Sequence, residues 1–213
     1  MKTLYIFKKT VIASVFIALS IIIPISIKAQ EYKPYFGNIN WQFNAPISNS
    51  FSNKASGWGA SFDGGYYITP KIGLGAFVSY STNHKYIPTK TLMEGSNIAL
   101  TTNQQRSLFQ IPFGINARYR INPISSMFDP YAALKIGAEY AQLSSYISTY
   151  QLSDNTWGFY FSPEIGTNIW LSEDKNFGFN VSLYYSFSTN EGHVLDGHAN
   201  QLNNLGFRIG VAF

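Results

Sequence analysis

The sequence predicts an all-β fold: an eight-stranded antiparallel transmembrane β-barrel, an up-and-down meander, following a cleaved N-terminal signal peptide. Three observations predict it. Apolar and polar side chains alternate with period two along most of the chain, which argues strands and not helices. Only 12% of residues are charged while 17% are aromatic; a soluble surface usually needs about twice that charge. The first residues also carry an export segment. With 213 residues and no cysteine, the chain suits one domain. Disulfide scaffolds, thiolate metal sites and cysteine nucleophiles are excluded.

The export segment comes first. Lys2, Lys8 and Lys9 make a positive head, an apolar run follows from Val11 to Ile27, and Ala29 precedes polar Gln30 and Glu31. This divides the chain into a signal peptide, 1–29, and a barrel, 30–213. Four of the 15 basic residues, Lys28 included, lie in that segment, which has no Asp or Glu. The remainder is formally neutral, which gives nucleic-acid binding no support.

Eight strands follow. Over 35–47, Ile39, Trp41 and Phe43 alternate with Asn38, Asn40, Gln42 and Asn44. Over 57–68, Trp58 and Phe62 oppose Gly59, Asp63 and Gly65. The third, 72–81, puts Gly73 and Gly75 on the polar face. The fourth, 105–121, sets Phe109 and Phe113 against Gly114, Arg118 and Arg120. The fifth, 131–143, has Lys135, Gly137 and Glu139 in phase. The sixth, 156–171, alternates Trp157, Phe159 and Phe161 with Gly158, Glu164 and Gly166. The seventh, 177–189, and eighth, 204–213, alternate without a break; in the last, Leu205, Phe207, Ile209, Val211 and Phe213 share one face. Short connections (Thr69-Pro70-Lys71, Asn122 to Pro130, Ser172 to Asn176) alternate with longer ones at 48–56, 82–104, 144–155 and 190–203. Short turns at one end and long loops at the other are the plan of a small outer-membrane barrel, with turns periplasmic and loops extracellular.

Volume decides which face is outside. An eight-stranded barrel has an interior only just wide enough for side chains. The apolar face is crowded with aromatic rings and carries no Asp, Glu, Lys or Arg, whereas the other face carries most of the glycines. Rings therefore face lipid and glycines the crowded lumen. Tyr35, Tyr66, Tyr80, Tyr119 and Trp157, near strand ends, suit the interfacial girdles. Pro112 and Pro163 fall inside strands and predict either a bulge or a position above the membrane on a strand longer than the ~9–11 residues needed to cross, with face assignments beyond them open to a shift of one.

The C-terminal residues Asn204, Gly206, Ile209, Val211 and Phe213 are similar to the assembly signal of bacterial outer-membrane barrels. With the signal ending in Lys28-Ala29-Gln30 and the aromatic-rich remainder, the chain resembles the eight-stranded outer-membrane β-barrel domain proteins of Bacteroidota, related in architecture to small OmpX-like and OmpA-barrel proteins. The resemblance covers nearly all of the mature chain. It implies insertion among outer-membrane lipids by the outer-membrane assembly machinery.

Seven charged residues face the predicted lumen: Asp63, Arg118, Arg120, Lys135, Glu139, Glu164 and Arg208. Charges so confined would pair, since an unpaired buried charge is costly. They are expected to form a structural ion-pair network that closes the lumen, the alternative being a narrow ion or proton channel. Glu191, His193, Asp196 and His198 gather potential metal ligands in one loop, but their spacing matches no established zinc motif, and no metal or cofactor is predicted. The three histidines, His84, His193 and His198, all fall in predicted loops with no serine partner set at matching depth, so no catalytic residue is assigned. A lipid A deacylase or acyltransferase is the enzymatic alternative. The long loop 82–104 is the expected contact for an envelope protein or a surface ligand. The sequence thus predicts a non-enzymatic barrel with a structural, adhesive or partner-docking role.

Overall fold

A computed structural model describes residues 34–47, 51–94, 98–121, 127–172 and 174–213; the predicted signal peptide lies outside them. Ten strands run in chain order: β1 (Tyr35–Pro46), β2 (Gly59–Tyr67), β3 (Ile72–Glu94), β4 (Ile98–Arg120), β5 (Phe128–Ile147), β6 (Tyr150–Trp170), β7 (Gly178–Ser188), β8 (Gly192–Val194), β9 (Gly197–Ala199) and β10 (Leu202–Ala212). Eight of them close a ring in the order β1-β10-β7-β6-β5-β4-β3-β2, and β8 and β9 form a separate two-stranded hairpin. Every pairing is antiparallel, and β1 closes the ring on β10 from Asn38↔Ala212 to Pro46↔Asn204. Closure leaves no sheet edge within the ring, the condition for crossing hydrocarbon.

The period-two pattern sorts the side chains as predicted. Trp41, Phe62, Leu74, Ile115, Trp157, Ile165, Leu183 and Ile209 are exposed on the outer wall, while Asn38, Ser61, Asn116, Lys135, Glu164, Ser182 and Arg208 are buried inside. The predicted girdle residues Tyr35, Tyr66, Tyr80, Tyr119 and Trp157 are all exposed. Aromatics are not confined to the outside, however. Phe36, Tyr67, Phe77, Tyr131, Tyr160, Trp170 and Tyr184 are buried. Two of these rings lie where glycine makes room: a Cβ on Gly166 would meet the Tyr131 ring at 2.8 Å, and one on Gly206 would meet Tyr184 Oη at 2.6 Å.

Neither proline shifts the register. The β3–β4 ladder skips from Val78↔Phe113 to Ser81↔Gln110, and the β6–β7 ladder from Phe161↔Phe187 to Glu164↔Tyr184. Each gap is symmetric, so the two strands stay in phase. Proline lacks an N–H to donate, and Ser162 Oγ instead donates to the Tyr185 carbonyl across from Pro163 at 2.7 Å. The irregularity in β3 lies elsewhere, between Ile87 and Lys90.

Two predicted loops are strands. Residues 82–94 and 98–104 continue β3 and β4, paired to the tip at Glu94↔Ile98. Residues 144–147 and 150–155 continue β5 and β6 about a turn that holds Ser148 at φ 51°. The physical reason is that polar and apolar residues mix on both faces of these extensions, as in Tyr86-Ile87 and Leu92-Met93, so the alternation that marks a strand disappears. β3 and β4 have 23 residues each, β5 20 and β6 21, against 9–12 for the other four wall strands. A strand needs only about 9–11 residues to cross a bilayer. Four neighbouring strands therefore rise well beyond it as a raised sheet on one side of the barrel. The connection 190–203 also contains order, the β8–β9 hairpin.

Candidate functional site

Five of the seven predicted lumen charges join in one chain across the barrel. Arg118 Nη2 donates to Asp63 Oδ2 at 3.1 Å, and Lys135 Nζ reaches Asp63 Oδ1 at 3.2 Å and Glu164 Oε2 at 2.9 Å. Arg208 Nη1 donates to the same Glu164 oxygen. All five side chains are shut off from solvent. They come from β2, β4, β5, β6 and β10, so the chain ties opposite walls together. Rings complete it: the Arg118 guanidinium lies between Phe36 (4.3 Å) and Tyr131 (3.8 Å), and Arg208 lies on Tyr184 (3.9 Å). A guanidinium on a ring face is stabilised by the ring quadrupole, which suits Arg118 Nε and Nη1, left without hydrogen-bond partners. Neutral groups satisfy remaining oxygens, with Asn38 and Asn116 donating to Asp63 and Tyr131 to Glu164.

The other two charges sit apart. Arg120 Nε lies 2.9 Å from Asp129 Oδ1 near the short-turn end, and its guanidinium covers the Tyr67 ring at 4.0 Å. Glu139 accepts hydrogen bonds from Gln110 Nε2 (2.9 Å) and Ser188 Oγ (3.2 Å), and among the described residues no cation lies within ion-pair distance of it.

Above Glu139 the lumen changes character. Leu108 of β4, Ala141 and Leu143 of β5 and Leu202 of β10 meet Phe51 from the β1–β2 connection and Val194 and Ala199 from the hairpin. All seven are buried, forming an apolar cap across the mouth on the raised side. The hairpin is fastened at several points. Asp196, at its turn, pairs with Lys90 on the raised sheet and with Arg106. Burial raises the proton affinity of Asp196, but the Lys90 hydrogen bond and the Arg106 charge outweigh it and hold the carboxyl below its ordinary value. Asp154 Oδ2 accepts from the His193 N–H at 3.0 Å, and Asn190 Nδ2 donates to the Glu139 and Thr156 carbonyls at 3.1 Å each. The turn comes close enough that a Cβ on Gly197 would meet Phe51 at 2.7 Å and Arg106 at 2.8 Å.

Of the loop residues weighed as metal ligands, His193 and His198 come together, while Asp196 turns to its two cations. Among the described residues no three His, Asp or Glu side chains are grouped to hold an ion. His84 lies on the extended β3, its carbonyl accepting from the Lys54 N–H at 3.3 Å. The predicted assembly-signal residues divide by parity. Asn204 and Gly206 face inward, Ile209 and Phe213 are exposed on the outer wall, and Phe213 pairs its backbone with Gly37 in both directions at 3.0 Å. The cap is what sequence reasoning missed. Arg106 shares the parity of Arg118 and Arg120 and was readable by that signal; Asp129 is in phase with Lys135 and Glu139 but lay just outside the predicted fifth strand, and Phe51 had no such signal.

A family model described as outer membrane protein beta-barrel domain matches residues 15–213. No functionally curated protein matches the sequence. Among solved structures, neisserial surface protein A is similar at 13% identity, covering 84% of this chain and 95% of its own, with a TM-score of 0.51. The outer membrane protein OprG of Pseudomonas aeruginosa is similar at 13% identity over 88% of this chain and 98% of its own, TM-score 0.48. Ail of Yersinia pestis, solved with the heparin analogue sucrose octasulfate, is similar at 12% identity over 85% of this chain and all of its own, TM-score 0.45.

Proposed function

Because the chain belongs to the outer membrane protein β-barrel domain family and is integral to the outer membrane, we propose that it is a closed, non-enzymatic barrel. Its working part is the raised sheet of β3–β6, held outside the cell to dock an envelope protein or a surface ligand. Short turns then face the periplasm, and Asn204, Gly206, Ile209, Val211 and Phe213 serve the assembly machinery. The N-terminal 29 residues act as the export signal, and with the aromatic-rich strands they support a protein of the Bacteroidota type.

One observation carries the reading: the lumen is blocked twice while one wall is built far taller than the bilayer requires. The ion chain through Asp63, Lys135 and Glu164 fills the middle, and the apolar cluster around Phe51 and Leu143 covers the mouth. A solute path would have to break both. The raised sheet contributes nothing to crossing the membrane, yet its pairing is continuous through β4, β5 and β6. A rigid scaffold that lifts side chains into the medium is how binding surfaces are commonly presented.

The test is in two parts. In planar lipid bilayers the purified protein is expected to show no stable open conductance, with or without Arg208→Ala; a steady unitary current altered by that substitution would make it a channel. Mass spectrometry of lipid A from cells with and without the protein is expected to give identical acylation; a difference would make it an enzyme.

A further inference from the structure

The β7–β10 connection holds a feature that neither the closed lumen nor the raised sheet uses. In Glu191-Gly192-His193-Val194-Leu195-Asp196-Gly197-His198, the hairpin turn places Leu195 at φ 54°, and His193 pairs directly with His198 across the two strands. Parity then separates the side chains. Val194 and Ala199 go down into the apolar cap, and both histidines point outward and are exposed. The two imidazoles lie face to face, with centroids 4.2 Å apart and planes 24° from parallel. Their backbone is held from below by the cap and from the sides by Asp154, Lys90 and Arg106.

We propose that His193 and His198 form a two-imidazole clamp for a divalent transition-metal cation of the Zn²⁺, Ni²⁺ or Cu²⁺ class at the extracellular face. Directly opposed cross-strand positions bring their side chains within one another's reach. A metal lies in the plane of each imidazole it binds, at about 2.0–2.1 Å from the nitrogen, so the two exposed rings would turn out of their stack until one nitrogen of each faces the ion. Two nearby carboxylates are committed elsewhere: Asp154 accepts the His193 N–H, and Asp196 is held by Lys90 and Arg106; exposed Glu191 stands two residues from His193. The clamp therefore offers two imidazole nitrogens as its protein ligands on the paired strands. That donor set suits imidazole-preferring metals and not Ca²⁺ or Mg²⁺, which take oxygen. A bound ion would cross-link β8 to β9 and fasten the hairpin over the cap.

The test uses the full, folded, tag-free protein in detergent micelles, titrated separately with Zn²⁺, Ni²⁺ and Ca²⁺ by calorimetry. One Zn²⁺ or Ni²⁺ per chain is expected to bind, and Ca²⁺ not at all. His193→Ala and His198→Ala are each expected to weaken Zn²⁺ by about tenfold or more, while His84→Ala leaves it unchanged. Both mutated side chains are exposed, so folding is not at stake. Substoichiometric Cu²⁺ should broaden amide resonances of residues 192–199 ahead of all others. Absence of saturable Zn²⁺ binding below about 1 mM, binding that survives the double substitution, or loss of binding in His84→Ala would each overturn the clamp.

Discussion

Among the described residues Lys135 is the one cation that touches both carboxylates of the lumen chain, and its Nζ is fully buried between Asp63 and Glu164. Removing it leaves Arg118 on one side and Arg208 on the other, each with a carboxylate, and severs the two halves. Breaking a buried pair by deleting one partner costs about 3–5 kcal/mol, because the survivors stay desolvated. Lys135→Ala is therefore expected to lower urea stability in phospholipid vesicles by that amount, read from tryptophan fluorescence, while Lys71→Ala at an exposed turn leaves it unchanged. A drop below about 1 kcal/mol, the range of surface pairs, would mean the chain holds nothing together. Parity alone placed these charges on the inner wall, but it could not choose their partners. Asp63 and Arg118 are 55 residues apart and meet because β2 and β4 both flank β3 in the curved sheet. Arg120 left the group for Asp129, a residue just outside the predicted fifth strand. The inward aromatics escaped for another reason: a ring over a guanidinium looks, in sequence, like any other large apolar residue.

Strands carry the next level of consequence, and Pro163 is the sharpest case. In a closed ring no strand is an edge, so the missing proline N–H must be replaced by another donor. Ser162 Oγ does this for the Tyr185 carbonyl. Ser162→Ala is expected to cost about 1–3 kcal/mol for an unsatisfied buried acceptor. Adding Pro163→Ala, which restores a backbone donor, is expected to recover most of that loss in the same urea assay. If the double variant is no better than Ser162→Ala, the pairing of serine with proline is incidental. The β8–β9 hairpin gives a prediction of opposite character. The Asp196 carboxyl is held below its ordinary value, so its contribution is fully present above the value it has in the unfolded chain. The contribution is lost as pH falls through the folded value. Amide exchange in 192–199 is thus expected to quicken in acid ahead of the barrel wall, and Asp196→Asn is expected to show the same looseness at neutral pH. Where one face met lipid and the other the lumen, each strand was legible to within a few residues. Residues 82–94 and 98–104 were not, because alternation records a difference between two environments, and above the bilayer that difference vanishes.

The whole molecule is a barrel with unequal walls, and its two parts answer to different forces. The ring is held by lipid outside and by ion pairs within, all of which lie below Glu139. The raised sheet is held by its own ladder and by contacts such as Lys90 with Asp196. Stability and recognition should then separate. In the β3–β4 ladder Lys85 pairs with Arg106, so replacing residues 86–105 with an Asn-Gly turn rejoins the strands in register, by a two-residue loop whose twist suits a hairpin. Arg106 is kept and with it one of the two ion pairs to Asp196. The shortened protein is expected to reach the outer membrane and to keep the faster gel mobility of an unheated, folded barrel. It is also expected to lose whatever envelope protein co-purifies with the intact chain from native membranes. If the shortened barrel fails to fold, the raised sheet is structural. If it folds and keeps its partner, docking lies elsewhere on the molecule. Only folding without the partner fits a wall built tall for recognition.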